Sequence, residues 1–324
     1  MYSGKARAYT NIALIKYWGK KDEDLIIPMN NSLSLTLDAF YTETTVSFSK
    51  EQTQDIFYLD GELQVGKSAE KISRFLDLVR ELGNTDMYAH IESKNFVPTA
   101  AGLASSASGL AALAGACNEA LKLNLNKREL SRLARRGSGS ACRSIFGGFV
   151  EWEKGYDDAS SFAYPLESDH FEDDLAMIFL LINDQPKDIS SRNGMRRTVE
   201  TSCFYQGWLD SVQEDLYNAE QAIKEKDFTR LGTTLEANGL KMHATTLGAQ
   251  PPFSYWSPGS VSAMNHVRKL RNAGIECYFT MDAGPNVKVL IEKKNLQAAQ
   301  TAFIELFGLN NVVTAQAGSG ITIL

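Results

Sequence analysis

The spacing of apolar positions changes several times along the chain, and each change predicts a different element. Alternating β-branched residues predict a strand over residues 42–48. Between residues 72 and 79, apolar side chains recur at every third or fourth position, which predicts an amphipathic helix that ends at Gly83. A short strand is expected over residues 87–91, and a basic helix over residues 126–136.

The second half of the chain follows an uninterrupted apolar segment, residues 175–182, which fits a strand buried on both faces. The sequence Asn-Asp-Gln-Pro at 183–186 breaks that pattern, so we place a boundary there between domains 1–185 and 186–324. Strands interleaved with helices in both halves predict an α+β protein of two layered domains. In the second half we expect a helical portion over 198–247, strands at 276–281 and 287–291, and a helix over 296–307.

Composition supports a globular protein and makes the charge pattern informative. The chain has 324 residues, with 33 Lys+Arg, 39 Asp+Glu and a net charge of −6, which argues against nucleic-acid binding. That length exceeds the roughly 250–300 residues at which single cores stop growing, in keeping with two domains. Yet segments 1–20, 127–143 and 187–197 together hold 14 Lys+Arg and 2 Asp+Glu, so they carry +12 and the remainder −18. These three basic segments predict an anionic ligand.

Several classes of protein are disfavoured by what the chain lacks. Four widely spaced cysteines without a Cys-x-x-Cys pair are typical of thiols in a reducing compartment. Four histidines without close pairing argue against a histidine-built zinc site. Residues 96–117 carry no charge and are long enough to span a bilayer, but a proline and several hydroxyls lie within them. Because no signal peptide is recognised either, we expect a cytoplasmic protein without a membrane segment.

The densest run of small residues, Pro98-Thr-Ala-Ala-Gly-Leu-Ala-Ser-Ser-Ala-Ser-Gly109, has two interpretations. Small side chains let a backbone approach a ligand closely, and the N–H groups at the start of a helix attract phosphate. A helix packed closely against a sheet has the same composition. The Walker pattern is absent, since no lysine lies within the run. The residues alone leave both interpretations open.

Segment 98–108, PTAAGLASSAS, resembles the phosphate-binding motif of the GHMP kinase superfamily, which includes galactokinase, homoserine kinase and mevalonate kinase. This resemblance implies two α+β domains, the C-terminal one ferredoxin-like, with the active site in the cleft between them. Further segments resemble the diphosphomevalonate decarboxylase family and occur in that family's order over nearly the whole chain. They are NIALIKYWGK at 11–20, PMNNSLS at 28–34, SGSACRS at 138–144, SSR at 190–192, GMR at 194–196 and MDAGPN at 281–286.

The family resemblance implies ATP-dependent decarboxylation of mevalonate 5-diphosphate to isopentenyl diphosphate, with phosphorylation of the 3-hydroxyl before loss of phosphate and CO₂. ATP is then the co-substrate and Mg²⁺ the expected cation, although no motif identifies protein ligands for Mg²⁺. A homodimer is also implied. Two alternatives stay open. One is a related kinase that phosphorylates mevalonate or a mevalonate phosphate without decarboxylation, and the other is a non-catalytic sensor on the same fold.

The resemblance gives four residues catalytic roles, each with a simpler alternative. Asp282 matches the family's catalytic base, although the start of a Gly-Pro turn often holds an Asp. Ser105 is expected to orient the γ-phosphoryl group, or else to cap the following helix. Arg143 matches the group that binds the C1 carboxylate, the alternative being an ion pair with an acidic neighbour. Lys16 is expected to neutralise charge near the reacting centre, or to lie with its stem along apolar neighbours.

The remaining expected contacts follow from the same resemblance. The residues expected to bind substrate are Tyr17, Lys20, Ser138, Gly139, Ser140, Arg143, Arg192 and Met195. Those expected at ATP are Pro98, Gly102, Leu103, Ala104, Ser105, Ser106, Ser108 and Lys187. Asn193 lies among these segments but has no assigned role.

Overall fold

The computed structural model describes residues 2–96, 106–182 and 188–324. The strands within this part of the chain form two large sheets and one small hairpin. Their bounds are β1 (Tyr2–Ile15), β2 (Lys20–Asp22), β3 (Ile27–Pro28), β4 (Ser32–Ser49), β5 (Ile56–Leu59), β6 (Glu62–Leu63), β7 (Tyr88–Phe96), β8 (Phe149–Glu153), β9 (Phe162–Pro165), β10 (Leu175–Leu180), β11 (Cys277–Met281), β12 (Val287–Glu292), β13 (Val312–Gln316) and β14 (Thr322–Ile323).

Most of the helices agree with the predicted helical segments, although none was expected over Pro258–Asn272. Their bounds are α1 (Lys67–Gly83), α2 (Ser106–Leu121), α3 (Lys127–Gly137), α4 (Ser191–Thr201), α5 (Tyr205–Glu225), α6 (Phe228–Leu247), α7 (Pro258–Asn272) and α8 (Lys293–Phe307), with short 3₁₀ helices at Gly139–Ile145, Phe171–Asp174 and Leu309–Asn311. The basic helix α3 begins after Asn126, whose side chain accepts a hydrogen bond from the Glu129 N–H at 3.1 Å. The Glu129 carboxylate accepts one from the Asn126 N–H at 2.9 Å, which completes a capping box.

The first sheet has the strand order β14-β1-β4-β7-β5-β6, with β8 paired to β4 and β9 paired to β8. Helix α2 lies close against this sheet. A Cβ atom added at Gly4 of β1 would lie 2.3 Å from the Ala116 carbonyl oxygen, so the two backbones approach more closely than side chains would allow. Residues 106–109, the part of the small-residue run that the structure describes, begin this helix, and Ala107 and Ser108 are buried in it, as the close-packing interpretation predicts.

The second sheet has the order β11-β12-β10-β13, and every neighbouring pair is antiparallel. One of its two inner strands, β10, comes from before the boundary expected at residue 185. Along the chain, the change from the first sheet to the second therefore falls between β9 and β10. A strand that is apolar on both faces suits the middle of either sheet, so its composition alone does not identify its partners.

The two sheets are linked at more than one place. The last strand, β14, returns to the first sheet and pairs with β1, Ala6 lying opposite Ile323. Leu37 and Ala317 form an isolated bridge. One hydrophobic core contains side chains of both halves, among them Leu14, Leu33 and Phe179. The predicted α+β architecture of two domains is thus confirmed, and the C-terminal ends of β1 and β11 lie together at the junction.

Candidate active site

Segments distant in sequence converge on one cleft at the junction of the two sheets. Its volume is about 330 Å³, near the lower end of the roughly 300–1,000 Å³ typical of small-molecule sites. The end of β1, the 3₁₀ helix Gly139–Ile145, the start of α4 and the turn after β11 all contribute to its walls. Eleven predicted site residues line it: Lys16, Tyr17, Lys20, Ser106, Ser138, Gly139, Ser140, Arg143, Arg192, Met195 and Asp282.

Asp282 follows β11 directly and lies between two lysines. Its Oδ1 is 2.8 Å from the Lys16 Nζ atom, and its Oδ2 is 3.1 Å from the Lys288 Nζ atom. The lysine side chains are 2% and 5% exposed, whereas the Asp282 side chain is 40% exposed and faces the cleft. Burial would raise the pKa of Asp282, but the two lysine charges outweigh it and hold that pKa well below its usual range. Asp282 is therefore a carboxylate at every ordinary pH.

Lys16 lies immediately after β1 with its ammonium group inside the protein. Its Nζ donates to the Ala13 carbonyl at 2.8 Å as well as to Asp282. Burial lowers the pKa of Lys16, and the Asp282 charge partly offsets that effect. The side chain does not extend to bulk solvent, as an isolated surface lysine would. Its charge is directed at the cleft.

Arg143 is a buried cation whose recorded partners are neutral. The guanidinium, in a residue only 2% exposed, donates to Asn11 Oδ1 at 3.2 Å and to Ser32 Oγ at 2.6 Å. Within the described ranges no carboxylate forms an ion pair with it, which removes the acidic-neighbour alternative there. A buried charge with only neutral partners is costly until an anion joins it. Arg143 is thus suited to bind an anion that enters the cleft.

A second group of cations lines another part of the cleft wall. Lys20 forms an ion pair with Glu23 at 2.6 Å, and Arg192 is exposed at the start of α4. Lys71, on α1, lines the same cleft. Burial lowers the pKa of Lys71, and the charges of Arg192 and Lys20 lower it further. Cations that repel one another in a shared wall favour a multiply charged anion between them.

The structure gives Asn193 a backbone role. The Ser190 side chain accepts a hydrogen bond from the Asn193 N–H at 3.2 Å and so caps the start of α4. Arg192 and Met195 are positioned by this capped turn, from which both reach the cleft.

The expected nucleotide contacts fall only partly on described residues. Ser106, the first residue of α2, is exposed and lines the cleft, where helix N–H groups favour an anion. Ser108 is instead fully buried, with its Oγ 2.8 Å from the Thr42 Oγ1 atom of β4. This hydrogen bond joins α2 to the sheet, and the expected contact of Ser108 with ATP stays a prediction. The other expected ATP residues lie outside the described residues: Pro98, Gly102, Leu103, Ala104, Ser105 and Lys187.

Sequence reasoning missed two cations and the polar groups that hold Arg143. Lys71 follows the ordinary polar face of an amphipathic helix, so no local signal distinguished it. Lys288 did carry a signal, because a lone lysine in an apolar strand is rarely buried without a partner. Asn11 was unremarkable in sequence, yet its side-chain amide also donates to the Ser140 carbonyl and to Ser144 Oγ, at 3.0 and 2.8 Å.

The described residues do not build a metal cage. No three of their His, Cys, Asp or Glu side chains are grouped so as to hold a metal ion. Both carboxylate oxygens of Asp282 are engaged by lysines. Mg²⁺ readily takes most of its ligands from phosphates and water, so a cleft of this kind is compatible with Mg²⁺ that enters with a nucleotide.

The two sheets, the shared core and the cleft between the halves define a two-domain protein of the GHMP kinase class. Residues 8–163 match the family model described as diphosphomevalonate decarboxylase-like N-terminal domain. Residues 177–320 match the mevalonate 5-diphosphate decarboxylase C-terminal domain. The chain belongs to the diphosphomevalonate decarboxylase family.

Similar proteins extend over almost the whole chain. Diphosphomevalonate decarboxylase of Candida albicans is 35% identical over 323 residues, covering 95% of this chain and 89% of the relative. A crystal structure of mevalonate diphosphate decarboxylase from Staphylococcus aureus is 60% identical with a TM-score of 0.98, over 100% of this chain and 98% of that one. A structure in complex with MVAPP, AMPPCP and magnesium is 64% identical with a TM-score of 0.97, covering 100% and 99%.

Proposed function

We propose that the cleft catalyses the ATP-dependent decarboxylation of mevalonate 5-diphosphate to isopentenyl diphosphate, with Asp282 as the group that accepts the hydroxyl proton. The observation that carries this proposal is the arrangement of Lys16, Asp282 and Lys288 in the same cleft as the anion-seeking Arg143. Similarity to decarboxylases with MVAPP and an ATP analogue bound supports the substrates.

The reaction divides into two balanced steps. In the first, the C3 hydroxyl oxygen bonds to the γ-phosphorus of ATP, the bond from that phosphorus to ADP breaks, and the hydroxyl proton passes to Asp282. In the second, the C3–O bond breaks and its electron pair leaves with phosphate. The electrons of the C1–C2 bond then form the C2–C3 double bond, and C1 departs as CO₂.

The low pKa of Asp282 determines how it contributes. So weak a base removes a proton only after the hydroxyl has begun to bond to phosphorus and has become acidic. We therefore assign Asp282 mainly to orienting that hydroxyl, with Lys16 and Lys288 fixing both carboxylate oxygens. Positioning and electrostatic stabilisation supply most of the rate in phosphoryl transfer.

The other residues hold the two ends of the substrate and the nucleotide. Arg143 binds the C1 carboxylate in a bidentate manner, with Ser138, Gly139 and Ser140 beside it. Tyr17, Lys20, Lys71 and Arg192 surround the diphosphate, and Met195 packs on the hydrocarbon. Ser106 lies at the nucleotide phosphates, where we also expect Ser105 and Lys187. Mg²⁺ bound with ATP neutralises charge on the phosphate oxygens.

A product assay tests the function as a whole. Purified protein with Mg-ATP and mevalonate 5-diphosphate is expected to release CO₂, ADP and phosphate in equal amounts. ADP formation without CO₂ would support the kinase alternative and overturn the assignment of decarboxylase activity. Tight binding of both substrates without ADP formation would support the sensor.

Replacement of Lys71 by Met is expected to raise KM for mevalonate 5-diphosphate by about 10- to 100-fold, the value of a lost hydrogen bond to a charged group. Turnover at saturation should change little, because the diphosphate does not react. Steady-state kinetics with each substrate varied in turn measures both parameters. Lys67→Met, an exposed position on the same helix, is the control and should leave KM unchanged. Equal KM values for the two variants would remove Lys71 from the diphosphate site.

Cellular location and assembly are further proposals. No helix in the described part of the chain is both long and apolar enough to cross a membrane. The cysteines are free thiols, and Cys117, Cys142 and Cys277 are buried. Such thiols are typical of a reducing compartment, which supports the proposal that the protein is cytoplasmic. A homodimer is proposed from the family resemblance, and sedimentation equilibrium of the purified protein tests it.

A further inference from the structure

Helix α6 lies behind both members of the Lys16–Asp282 pair. Lys16 comes from the end of β1 in the first sheet, and Asp282 from the end of β11 in the second. Each has just left its strand, so the strand ladders no longer fix its backbone. Two buried side chains of α6, Asn238 and His243, hydrogen-bond to the backbone at these points.

Asn238 holds the backbone of Lys16. Its Oδ1 accepts a hydrogen bond from the Lys16 N–H at 2.8 Å. Its Nδ2 donates to Asp215 Oδ2 at 2.9 Å, and that carboxylate is itself paired with Lys241. Because a carboxylate only accepts, the orientation of the Asn238 amide is determined by this contact. On the other side, Asn30 Nδ2 donates to the Lys16 carbonyl at 2.8 Å.

His243 holds the backbone next to Asp282. Its Nε2 lies 3.3 Å from the carbonyl oxygen of Met281, the residue before Asp282. A carbonyl only accepts, so Nε2 carries the proton and donates it. Burial and the nearby Lys16 charge lower the pKa of His243 to about 4, so the ring is neutral at physiological pH. A neutral donor at this point fixes the strand end without adding a third cation beside Asp282.

Between these residues the helix comes unusually close to the pair. A Cβ atom added at Gly239 would lie 3.0 Å from Thr280 Oγ1 and 3.8 Å from the Lys16 Cε atom. The absence of a side chain there lets α6 contact both strand ends at once. The helix therefore connects the two halves of the catalytic pair through one rigid element.

We propose that Asn238 and His243 are positioning residues, and that α6 sets the distance between Lys16 and Asp282 for the phosphoryl-transfer step. This inference rests on the proposed function, since it takes Asp282 as the group that orients the reacting hydroxyl. Neither residue lines the cleft. Both act through the backbone of the residues they hold.

The test compares two replacements of His243. His243→Leu removes the donor, whereas His243→Gln places an amide N–H at a similar reach. We expect the Leu variant to lose about 10- to 100-fold in kcat per folded site, the cost of small misplacements of reacting groups. KM for mevalonate 5-diphosphate should stay within about twofold, because the diphosphate residues lie elsewhere. The Gln variant should recover most of the lost turnover.

Two controls separate positioning from stability and from the proposed function itself. Leu235→Ala, a fully buried change on the same helix, should lower the melting temperature without lowering kcat per folded site, where sites are counted by binding of an ATP analogue. If His243→Leu behaves like Leu235→Ala, or if Gln does not restore turnover, the positioning role is wrong. Asn238→Leu should likewise lower kcat with KM retained. Unchanged turnover in this variant would exclude a positioning role for Asn238. Normal turnover in Asp282→Asn would instead overturn the assignment of Asp282.

Discussion

Replacement of Asp282 by Asn is expected to lower kcat by about 10²- to 10⁴-fold, the range contributed by a positioned proton acceptor. The amide keeps the shape of the side chain but cannot accept the hydroxyl proton, and it presents a donor where Lys16 and Lys288 need an acceptor. Binding of mevalonate 5-diphosphate should persist, because Arg143 and the diphosphate residues are unchanged. Single-turnover measurement of ADP formation, together with calorimetric binding of the substrate, checks both expectations.

The loss of an ion pair must be separated from the loss of the catalytic group. Asp55→Asn offers a matched control, because Asp55 forms a buried pair with Arg80 at 2.9 Å away from the cleft. Its removal should reduce the free energy of unfolding without reducing turnover per folded site. Near-normal ADP formation in Asp282→Asn would remove this residue from the chemistry.

Arg143→Ala is expected to lower kcat/KM for mevalonate 5-diphosphate by at least about 100-fold, in line with the cost of removing one member of a buried charged contact. The substrate carboxylate would lose its bidentate partner, and Asn11 and Ser32 would lose the donor they accept from. Affinity for ATP should fall much less, because the proposed place of the nucleotide phosphates is the start of α2. Kinetics with each substrate varied in turn measures the difference.

Arg143→Lys should not restore activity, because an ammonium group cannot reproduce two parallel hydrogen bonds. Arg135→Ala is a suitable control. Arg135 is also a buried arginine, but it pairs with Asp158 at 2.6 Å and does not line the cleft. That variant should be less stable yet show no selective loss for one substrate. Equal losses for ATP and mevalonate 5-diphosphate in Arg143→Ala would contradict the carboxylate role.

Many of the elements were predictable from sequence, whereas β1, α7 and the pairing of strands were not. Apolar periodicity gave the positions of α1, α3 and β10, because local spacing determines which face of an element is buried. The sheet that β10 joins depends on partners more than 100 residues away, such as β12 and β13. The return of β14 to β1 carries no local signal either, since a two-residue strand has too few positions to show a period.

The site shows the same division between local and distant information. Motif resemblance located Lys16, Arg143 and Asp282, and the structure brings them to one cleft. The resemblance could not show that Lys288 holds the second oxygen of Asp282. Nor could it show that Lys71 lies near Arg192 and Lys20. Nor could the motif show that Ser108 bonds to Thr42 of the sheet, because a serine in a small-residue motif has the same sequence signature whether it faces a ligand or a sheet.

The return of the last strand to the first sheet limits how the protein can move. β14 is hydrogen-bonded to β1, and a hydrophobic core continues from one half into the other. A wide hinge rotation would have to break the backbone ladder between Ala6 and Ile323 and separate apolar side chains that exclude water. Large apolar junctions of this kind resist rigid-body rotation. Lys16 and Asp282, which come from different sheets and are paired at 2.8 Å, therefore lie across a junction that a continuous apolar core holds closed.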